Sequence, residues 1–473
     1  MRKQYTPYAR LAFCALVGPL FAGCAAFSAD GGFGSIEKTA TERIDKKLIW
    51  QRNDADRDAT KKQVTELLKK PLSIDDAVQI ALLNNRGLQA SFSELGIAEA
   101  DLVDAGRIPN PHFTMSRTSR GDEYGIEQTL TFNLLSILTI PIKSQMQAQR
   151  FEQVQRTLSM EVLQMASETR KAYILAVAAE ENVRYMDQVK TVAESSAELA
   201  RRMASVGNFN KLQQAREQAF YADGALNHAR ATQGRVRTRE KLTRLLGLWG
   251  TDIQFQLPAR LPNLPDTPDD LPNVEQIAMA QRLDVQAMKL RSESLAKNLG
   301  LSKATRFINV LEIGPTRVLE GARSDPYKKG FEVSLELPLF DWGAAKVAKA
   351  EALYMQSVNL VAEAAINARS EVRESYQGYR VTYDIAKHYR DEIVPVRKRI
   401  ADENLLRYNA MLIGVFDLLA DARAQIISVN GYIDALRDFW LAKADLDMAM
   451  IGKPSMSSVG SSAMSASEAP AGH

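Results

Sequence analysis

Apolar residues recur every three to four positions over most of this chain, a period typical of amphipathic helices. Residues 145–206 contain only helix-compatible sequence without a proline. At 1.5 Å per residue, a helix of this length would extend for roughly 90 Å. Because helices of globular proteins average about 11 residues, the pattern predicts an unusually long helix here.

A second long helical segment is predicted after Trp342. Its apolar stripe is spaced alternately by three and four residues, at Tyr354, Val358, Val361, Ala365, Ala368, Val372, Tyr376 and Tyr379. This spacing is typical of a coiled-coil seam, in which the alanines allow close packing. A long helix in a soluble bundle would show the same stripe, so the seam alone leaves both arrangements open.

Short runs with a period of two interrupt the helical pattern near the start of each half. In residues 331–337 the apolar and polar residues alternate, and a companion run at about 306–318 precedes a turn containing Gly321, Ser324 and Asp325. These runs predict a β-hairpin. The first half repeats the arrangement, with strands at 112–118 and 124–132 and a turn at 120–122.

Strands of about 9 to 11 residues are long enough to cross a membrane when tilted. Four strands cannot close a barrel, and lipid excludes open sheet edges. If these strands span a membrane, several chains must therefore associate. A half-buried soluble sheet would show the same alternation and remains the alternative.

The two halves of the chain share residues at matching positions. Residues 207–216 and 414–423 have Gly, Phe, Leu, Ala and Arg in common, at an offset of 207 positions (414 − 207). Further matches follow the same order, pairing Ala81 with Ala278, Gln89-Ala90 with Gln286-Ala287, and Leu246-Gly247 with Ile451-Gly452. The shared order favours an internal duplication. Since glycine readily adopts the left-handed conformation of a tight reversal, Val206-Gly207 and Ile413-Gly414 are predicted as the tips of two helical hairpins.

The start of the chain has the pattern of a secretory signal. Two basic residues precede the apolar run 11–22, and small residues follow. Residues 20–24 resemble the bacterial lipobox, which predicts acylation of Cys24; an ordinary signal peptide with a chance cysteine is the alternative. Ala25 replaces the Asp that commonly retains lipoproteins in the inner membrane, so the outer membrane is the predicted destination.

Composition narrows the chemistry that the chain can perform. The 60 basic and 57 acidic residues give a net charge of +3 without a basic block, which argues against nucleic acid as a partner. Both cysteines lie within the first 24 residues, and the four histidines have no paired ligand spacing. We therefore predict no catalytic residue, metal site or cofactor, and no transmembrane helix in the mature chain.

These patterns predict six segments: a signal peptide (1–23), a lipid-anchored leader without a domain of its own (24–70), a first repeat (71–252), a linker (253–270), a second repeat (271–452) and a disordered tail (453–473). Each repeat combines a strand hairpin with a helical hairpin.

Two local motifs connect this organisation to a known family. Residues 337–343 resemble the Pro-Leu-Phe-x-x-Gly signature at which the last strand leads into the long helix, and residues 408–419 resemble the hairpin tip. The first half departs from the signature at residues 134–141. Over about residues 70–452, the chain resembles the TolC-like outer-membrane factor family.

The resemblance implies a mainly α fold with transmembrane β-strands. Three chains would form a twelve-stranded β-barrel, four strands from each, continued by a long periplasmic α-helical coiled-coil tunnel. Such a homotrimer is a passive duct of a tripartite efflux system, which exports drugs or metal ions delivered by an inner-membrane pump through a periplasmic adaptor. The tip residues Val206, Gly207, Ile413 and Gly414 would contact the adaptor, unless they serve only to turn the chain.

The resemblance also places an acidic ring at the tunnel mouth. Asp417 matches the family position, and Asp421 lies one helical turn beyond it. Three copies of these carboxylates would favour cations in a narrow mouth, although both could equally be solvated surface charges.

Other functions are less consistent with the sequence. A periplasmic adaptor lipoprotein has one helical hairpin between β-rich halves, whereas this chain has two hairpins and few strands. A structural envelope lipoprotein remains possible if the strands do not insert into a membrane. A hydrolase would need a nucleophile with its base and orienting group, a set that the sequence does not contain.

Overall fold

The computed structural model describes residues 26–307, 310–336 and 338–454. The predicted signal peptide, the acylated Cys24 and the C-terminal tail from residue 455 lie outside the described residues, as does Leu337 of the family signature.

The first repeat and the segment before it form six helices and two strands. In chain order these are α1 (Gly34–Ile44), α2 (Asp54–Leu68), α3 (Ile74–Asn84), α4 (Arg86–Ala105), β1 (His112–Arg120), β2 (Glu123–Asn133), α5 (Leu134–Ser205) and α6 (Lys211–Leu246). A short 3₁₀ turn, Gly250–Ile253, follows.

The second repeat follows the same order. It contains α7 (Val274–Gln281), α8 (Leu283–Ala304), β3 (Leu311–Gly321), β4 (Lys328–Leu335), α9 (Ala344–His388), a π-helical turn (Tyr389–Ile393), α10 (Val394–Asn409) and α11 (Val415–Ala449). None of the described helices has an apolar stretch long enough to span a membrane.

The predicted leader is more ordered than its sequence suggested, because it contains α1 and α2. Helix α2 begins where the side chain of Asn53 accepts a hydrogen bond from the N–H of Asp56 at 2.8 Å, a typical N-cap. Only Thr60 and Val64 of α2 are buried. A helix that buries so few residues leaves little apolar periodicity, and for that reason the sequence did not indicate it.

The duplication is visible in the backbone. Helix α3 ends where Asn85 donates to the carbonyl of Ala81, and α7 ends where Arg282 donates to the carbonyl of Ala278, at 3.0 and 2.8 Å. Both helices are followed at once by a second helix and a β-hairpin. The sequence match of Ala81 with Ala278 therefore marks structurally equivalent helix ends.

The chain divides into two compact units that each draw on both repeats. The first contains the described residues up to Ile36, Ser91–Leu158 and Asp284–Ala364. The second contains Glu37–Ala90, Ser159–Leu283 and the described residues from Ala365 onward.

The first unit contains a four-stranded antiparallel sheet in the order β1-β2-β3-β4. The two predicted hairpins are confirmed, and they join through β2 and β3, where Ile126 lies opposite Leu319. On the other face of the same strand pair, the hydroxyls of Thr129 and Thr316 lie 3.0 Å apart. Strand alternation thus places apolar and polar side chains on opposite faces of one sheet.

The long helices of this unit begin at specific capping residues. The side chain of Asn133 accepts from the N–H of Ser136 at 2.8 Å, so α5 begins at Leu134 and includes Pro141 in its first turns. Before α9, Gly343 has φ +73°, and a Cβ there would lie 2.4 Å from the carbonyl oxygen of Arg306. Only glycine fits this close approach, which accounts for the glycine of the signature.

The second unit has the larger apolar core, built between α3, α5, α6, α9 and α11. At its centre the ring of Phe439 lies 5.5 Å from that of Tyr379 and 5.8 Å from that of Tyr383. The predicted seam on α9 is buried in this unit at Ala368, Val372 and Tyr379. These contacts hold α9 and α11 together.

Candidate functional site

The first helical hairpin turns at Gly207, as predicted. Gly207 has φ +81°. The N–H groups of Gly207 and Asn208 donate to the carbonyls of Ala204 and Met203 at 3.1 and 2.9 Å. This pair of bonds satisfies the last carbonyls of α5 in a Schellman motif.

The second hairpin has the same pair of bonds, but at different residues from those predicted. Met411 and Leu412 donate to the carbonyls of Tyr408 and Arg407, both at 2.9 Å. Met411 has φ +59°, whereas Gly414 has φ −78°. The prediction that Gly414 provides the left-handed turn is therefore wrong.

Gly414 instead precedes α11 as its N-cap residue. Its counterpart in the first hairpin is Asn210, the N-cap residue of α6, which exchanges hydrogen bonds with Gln213 at 2.8 and 2.9 Å. The turns and the caps both correspond at an offset of 204 positions (411 − 207). The sequence alignment, with its offset of 207 positions, paired identical residues. The structurally equivalent residues lie three positions away from these pairs.

Apolar side chains are exposed at both tips. Val206 is 70% exposed, and Met411 and Leu412 are 93% and 74% exposed. Ile413 is partly exposed. The residues predicted to contact an adaptor therefore lie at the two turns, next to apolar surface that this chain leaves uncovered among its described residues.

The two predicted ring carboxylates both have partners within the second hairpin. Asp417 is exposed and accepts from the N–H of Gly414 at 3.3 Å, which satisfies a free donor at the start of α11. Asp421 accepts a hydrogen bond from the side chain of Asn404 on α10. Both carboxylates therefore have a structural role in the hairpin.

The corrected offset gives Asp421 an acidic counterpart that the sequence comparison missed. The equivalent position in the first hairpin is Glu217, whereas the offset of 207 positions would pair Asp421 with Gln214. Its carboxylate is 1% exposed and accepts from Ser196 of α5 at 2.7 Å and from Arg423 of α11 at 2.6 Å. Because a buried charge is costly without partners, this network connects α5 and α6 of the first hairpin with α11 of the second.

The predicted linker crosses the helices of the second unit, and we call residues 253–270 the strap. Four of its carbonyls accept hydrogen bonds from side chains on four different helices: Phe255 from Arg239 of α6, Ala259 from Arg184 of α5, Pro262 from Trp440 of α11 and Asp266 from Tyr383 of α9. Further along, the N–H of Asp269 donates to the hydroxyl of Tyr379 at 2.9 Å. The strap thus ties the two hairpins together.

No family model matches this chain. It is 23% identical over 282 residues to the cobalt-zinc-cadmium resistance protein CzcC of Cupriavidus metallidurans, over 57% of this chain and 64% of CzcC. The chain thus spans slightly less than two thirds of that relative.

Solved channels have a similar fold. The CmeC outer-membrane channel of Campylobacter jejuni is 17% identical with a TM-score of 0.68, over 80% of this chain and 85% of CmeC. The outer-membrane channel OprN is 16% identical with a TM-score of 0.68, over 90% and 96% of the two chains. CusC is 17% identical with a TM-score of 0.67, over 80% and 92%. This chain therefore has the TolC-like fold of the outer-membrane efflux channels, which confirms the resemblance in its sequence.

Proposed function

We propose that three copies of this chain form the outer-membrane channel of a tripartite efflux system. The observation that carries this proposal is a two-faced sheet with two open edges, in a chain that also forms two helical hairpins with apolar tips. The likeness to CzcC, CmeC and OprN supports it. Such a channel is a passive duct and needs no catalytic residue.

The two faces of the sheet differ in polarity. From the strand registers, one face carries Phe113, Met115, Ile126, Leu130, Phe132, Ile313, Leu319, Phe331, Val333 and Leu335, together with the polar residues Arg117, Gln128, Arg317 and Lys329. The other carries Thr114, Ser116, Thr118, Glu127, Thr129, Thr131, Glu312, Thr316, Glu332 and Ser334, together with Val318. Membrane barrels have this division, with apolar residues toward lipid and polar residues toward the lumen.

The sheet edges favour three copies. Among the described residues, β1 and β4 each pair with one strand only, and every residue of both strands is exposed. Unpaired backbone groups are costly in lipid. If β4 of one copy pairs with β1 of the next, three chains close a barrel of twelve strands and leave no edge.

The helices also have surfaces suited to neighbouring copies. The seam of α9 is buried at Ala368 and Val372, but Val358 is 38% exposed. Helix α10 buries none of its residues. We infer that adjacent copies cover these faces in a coiled-coil tunnel that extends into the periplasm.

The partners follow from the same arrangement. The exposed tips, with Val206, Gly207, Ile413 and Gly414, would dock a periplasmic adaptor that connects to an inner-membrane pump. Asp417 and Asp421 would form acidic rings at the mouth, and an acylated Cys24 would add a lipid anchor in the outer membrane. CzcC is named for resistance to cobalt, zinc and cadmium, so metal ions are a candidate cargo alongside organic drugs.

The proposal is tested with the full-length protein purified in detergent. We expect a particle with the mass of three chains, which migrates as a trimer on gels until heated and conducts ions in planar bilayers. A periplasmic adaptor or a structural lipoprotein would not conduct. A monomer without conductance would refute the channel.

A further inference from the structure

The wall formed by α5, α6 and α11 has two faces, and the strap covers one of them. On α5, Glu181 and Arg184 contact the strap at Leu261 and Ala259. With 3.6 residues per turn, Ala179 and Met186 point to roughly the opposite side of the same helix. A feature lined by these two residues therefore lies on the face away from the strap.

That opposite face contains a groove of about 470 Å³, which we call the inner groove. Its lining from α5 is mostly apolar and includes Leu175, Ala179 and Met186. Helices α6 and α11 contribute three guanidinium groups, those of Arg230, Arg237 and Arg437. The groove thus combines an apolar floor with a basic rim.

The basic rim is only partly neutralised by the described residues. Arg230 and Arg237 lie seven positions apart on one side of α6, and neither has an ion-pair partner among the described residues. By contrast, Arg235 of the same helix lies 3.9 Å from the carboxylate of Glu180. Two guanidinium groups are therefore free to bind an anion in the groove.

The third guanidinium has a partner in the groove. Arg437 pairs at 2.5 Å with Asp434, the one carboxylate among the described groove residues, and at 2.8 Å with the neighbouring Asp438. Burial raises the pKa of Asp434. The groove therefore carries more positive than negative charge.

Two asparagines of the groove have buried side-chain oxygens. The oxygens of Asn182 and Asn430 have no hydrogen-bond partner among the described residues, and both asparagines line the groove. Because these oxygens are buried, a solute in the groove is recognised by the exposed guanidinium groups of Arg230 and Arg237 instead.

In the proposed trimer, the groove would face the lumen. If the strap lay on the inner side of the helices in the trimer, it would run through the duct. The strap is therefore placed on the outer side of the trimer. The face away from it is then the inner wall. This step rests on the proposed function.

We propose that the inner groove binds organic anions on their way through the duct. The guanidinium groups of Arg230 and Arg237 bind carboxylate, sulfonate or phosphate groups, which they match in geometry as well as charge. The apolar floor takes the hydrocarbon part of the solute. Free metal cations would be repelled at this level.

The test measures binding of fluorescein, an anionic dye, to the purified full-length protein by fluorescence anisotropy. The double variant Arg230→Gln/Arg237→Gln should bind fluorescein about tenfold more weakly, because two charge-assisted bonds are lost. The control Arg235→Gln removes a guanidinium from the strap side of the same helix and should leave the affinity unchanged. Gel filtration verifies that each variant keeps the oligomeric state of the parent.

A cationic dye of similar size, rhodamine 6G, separates charge recognition from apolar binding. We expect its affinity to be weaker than that of fluorescein and not to fall in the double variant. Equal fluorescein affinity of parent and double variant, or an equal loss in Arg235→Gln, would overturn the proposal. Binding in detergent is independent of conductance, so loss of the channel function in bilayers and loss of the anion site are distinguishable results.

Discussion

The two helical hairpins have the same order of helix, turn, cap and helix, yet their local structures differ. In the first, α5 continues for 72 residues to a glycine turn, and Asn210 and Gln213 cap the returning helix with side chains. In the second, a π-helical turn at Tyr389–Ile393 separates α9 from α10, and Pro395 follows it. Met411 occupies the left-handed position of the turn.

Each of these differences is energetically unfavourable for the second hairpin. A left-handed conformation costs a residue with a side chain roughly 1–2 kcal/mol more than it costs glycine, and Pro395 cannot donate a backbone hydrogen bond. Gly414 has no side chain to cap α11, so only Asp417 reaches back. The second hairpin thus keeps the same fold although its turn and its cap are each locally less favourable than those of the first.

The largest effect is expected at the network between the hairpins. Glu217→Ala should lower the free energy of unfolding by about 2–3 kcal/mol, because Ser196 and Arg423 lose a buried partner. The counterpart Asp421→Ala, which loses one bond to Asn404 in a more exposed place, should cost about 1 kcal/mol. Urea denaturation followed by circular dichroism gives both values. Equal losses would mean that the two carboxylates have equivalent roles.

The next effect concerns the turns. Gly207→Ala should destabilise the first tip by about 1–2 kcal/mol, because φ +81° is unfavourable for alanine. Gly414→Ala should cost less, about 0.5 kcal/mol, since its added Cβ meets only Asp417 at 3.7 Å and its φ is ordinary, and only the poorer N-cap preference of alanine remains. Hydrogen exchange of the tip amides measures the difference. A larger loss of stability in Gly414→Ala than in Gly207→Ala would indicate that Gly414 is the turn residue. The offset of 207 positions would then be the correct alignment of the two hairpins.

A smaller effect is expected beside the π-helical turn. Gly431→Ala places a Cβ 2.8 Å from the ring of Tyr389, so overpacking should outweigh the gain in helix propensity by about 1 kcal/mol. Gly378→Ala on α9 meets nothing within 4 Å and should stabilise by about 0.5–1 kcal/mol. Thermal unfolding of the two variants checks the opposite signs, and a stabilised Gly431→Ala would show that Tyr389 moves freely.

The smallest effect is expected at the caps. Asp417→Ala should cost about 0.5 kcal/mol, since an exposed carboxylate at a helix start contributes little. Gln213→Ala in the first hairpin should cost a similar amount, because Asn210 still caps α6 from the other side. Hydrogen exchange in the first turns of α6 and α11 measures both. A large loss in Asp417→Ala alone would indicate that this acid has a further contact.

Much of the fold could be predicted from residue patterns. The long helices, the two strand hairpins and the duplication follow from periods of 3.6 and 2 and from repeated residues. Helix α2 was missed because it buries only two residues, and the turn of the second hairpin was misplaced because a glycine near a helix end is not always the left-handed residue. Met411 has no sequence signal for that conformation.

The site was less predictable than the fold. Local patterns placed the tips within a few residues, and the sequence also supplied Asp417 and Asp421. The roles of Glu217, the strap and the inner groove arise from residues far apart in the chain, such as Arg239 with Phe255 or Glu217 with Arg423. When each helix is considered alone, the charged residues of these sites are indistinguishable from those of an ordinary solvent-exposed helix face.

The sequence by itself determined the long helices, the strand hairpins, their order and the family resemblance, since periodicity, turns and motifs are local properties. The tertiary structure decided which repeat positions are equivalent, which carboxylate is buried, and which arginines have partners. These depend on the three-dimensional packing of α5, α6 and α11, because burial and pairing are properties of surfaces that helices share.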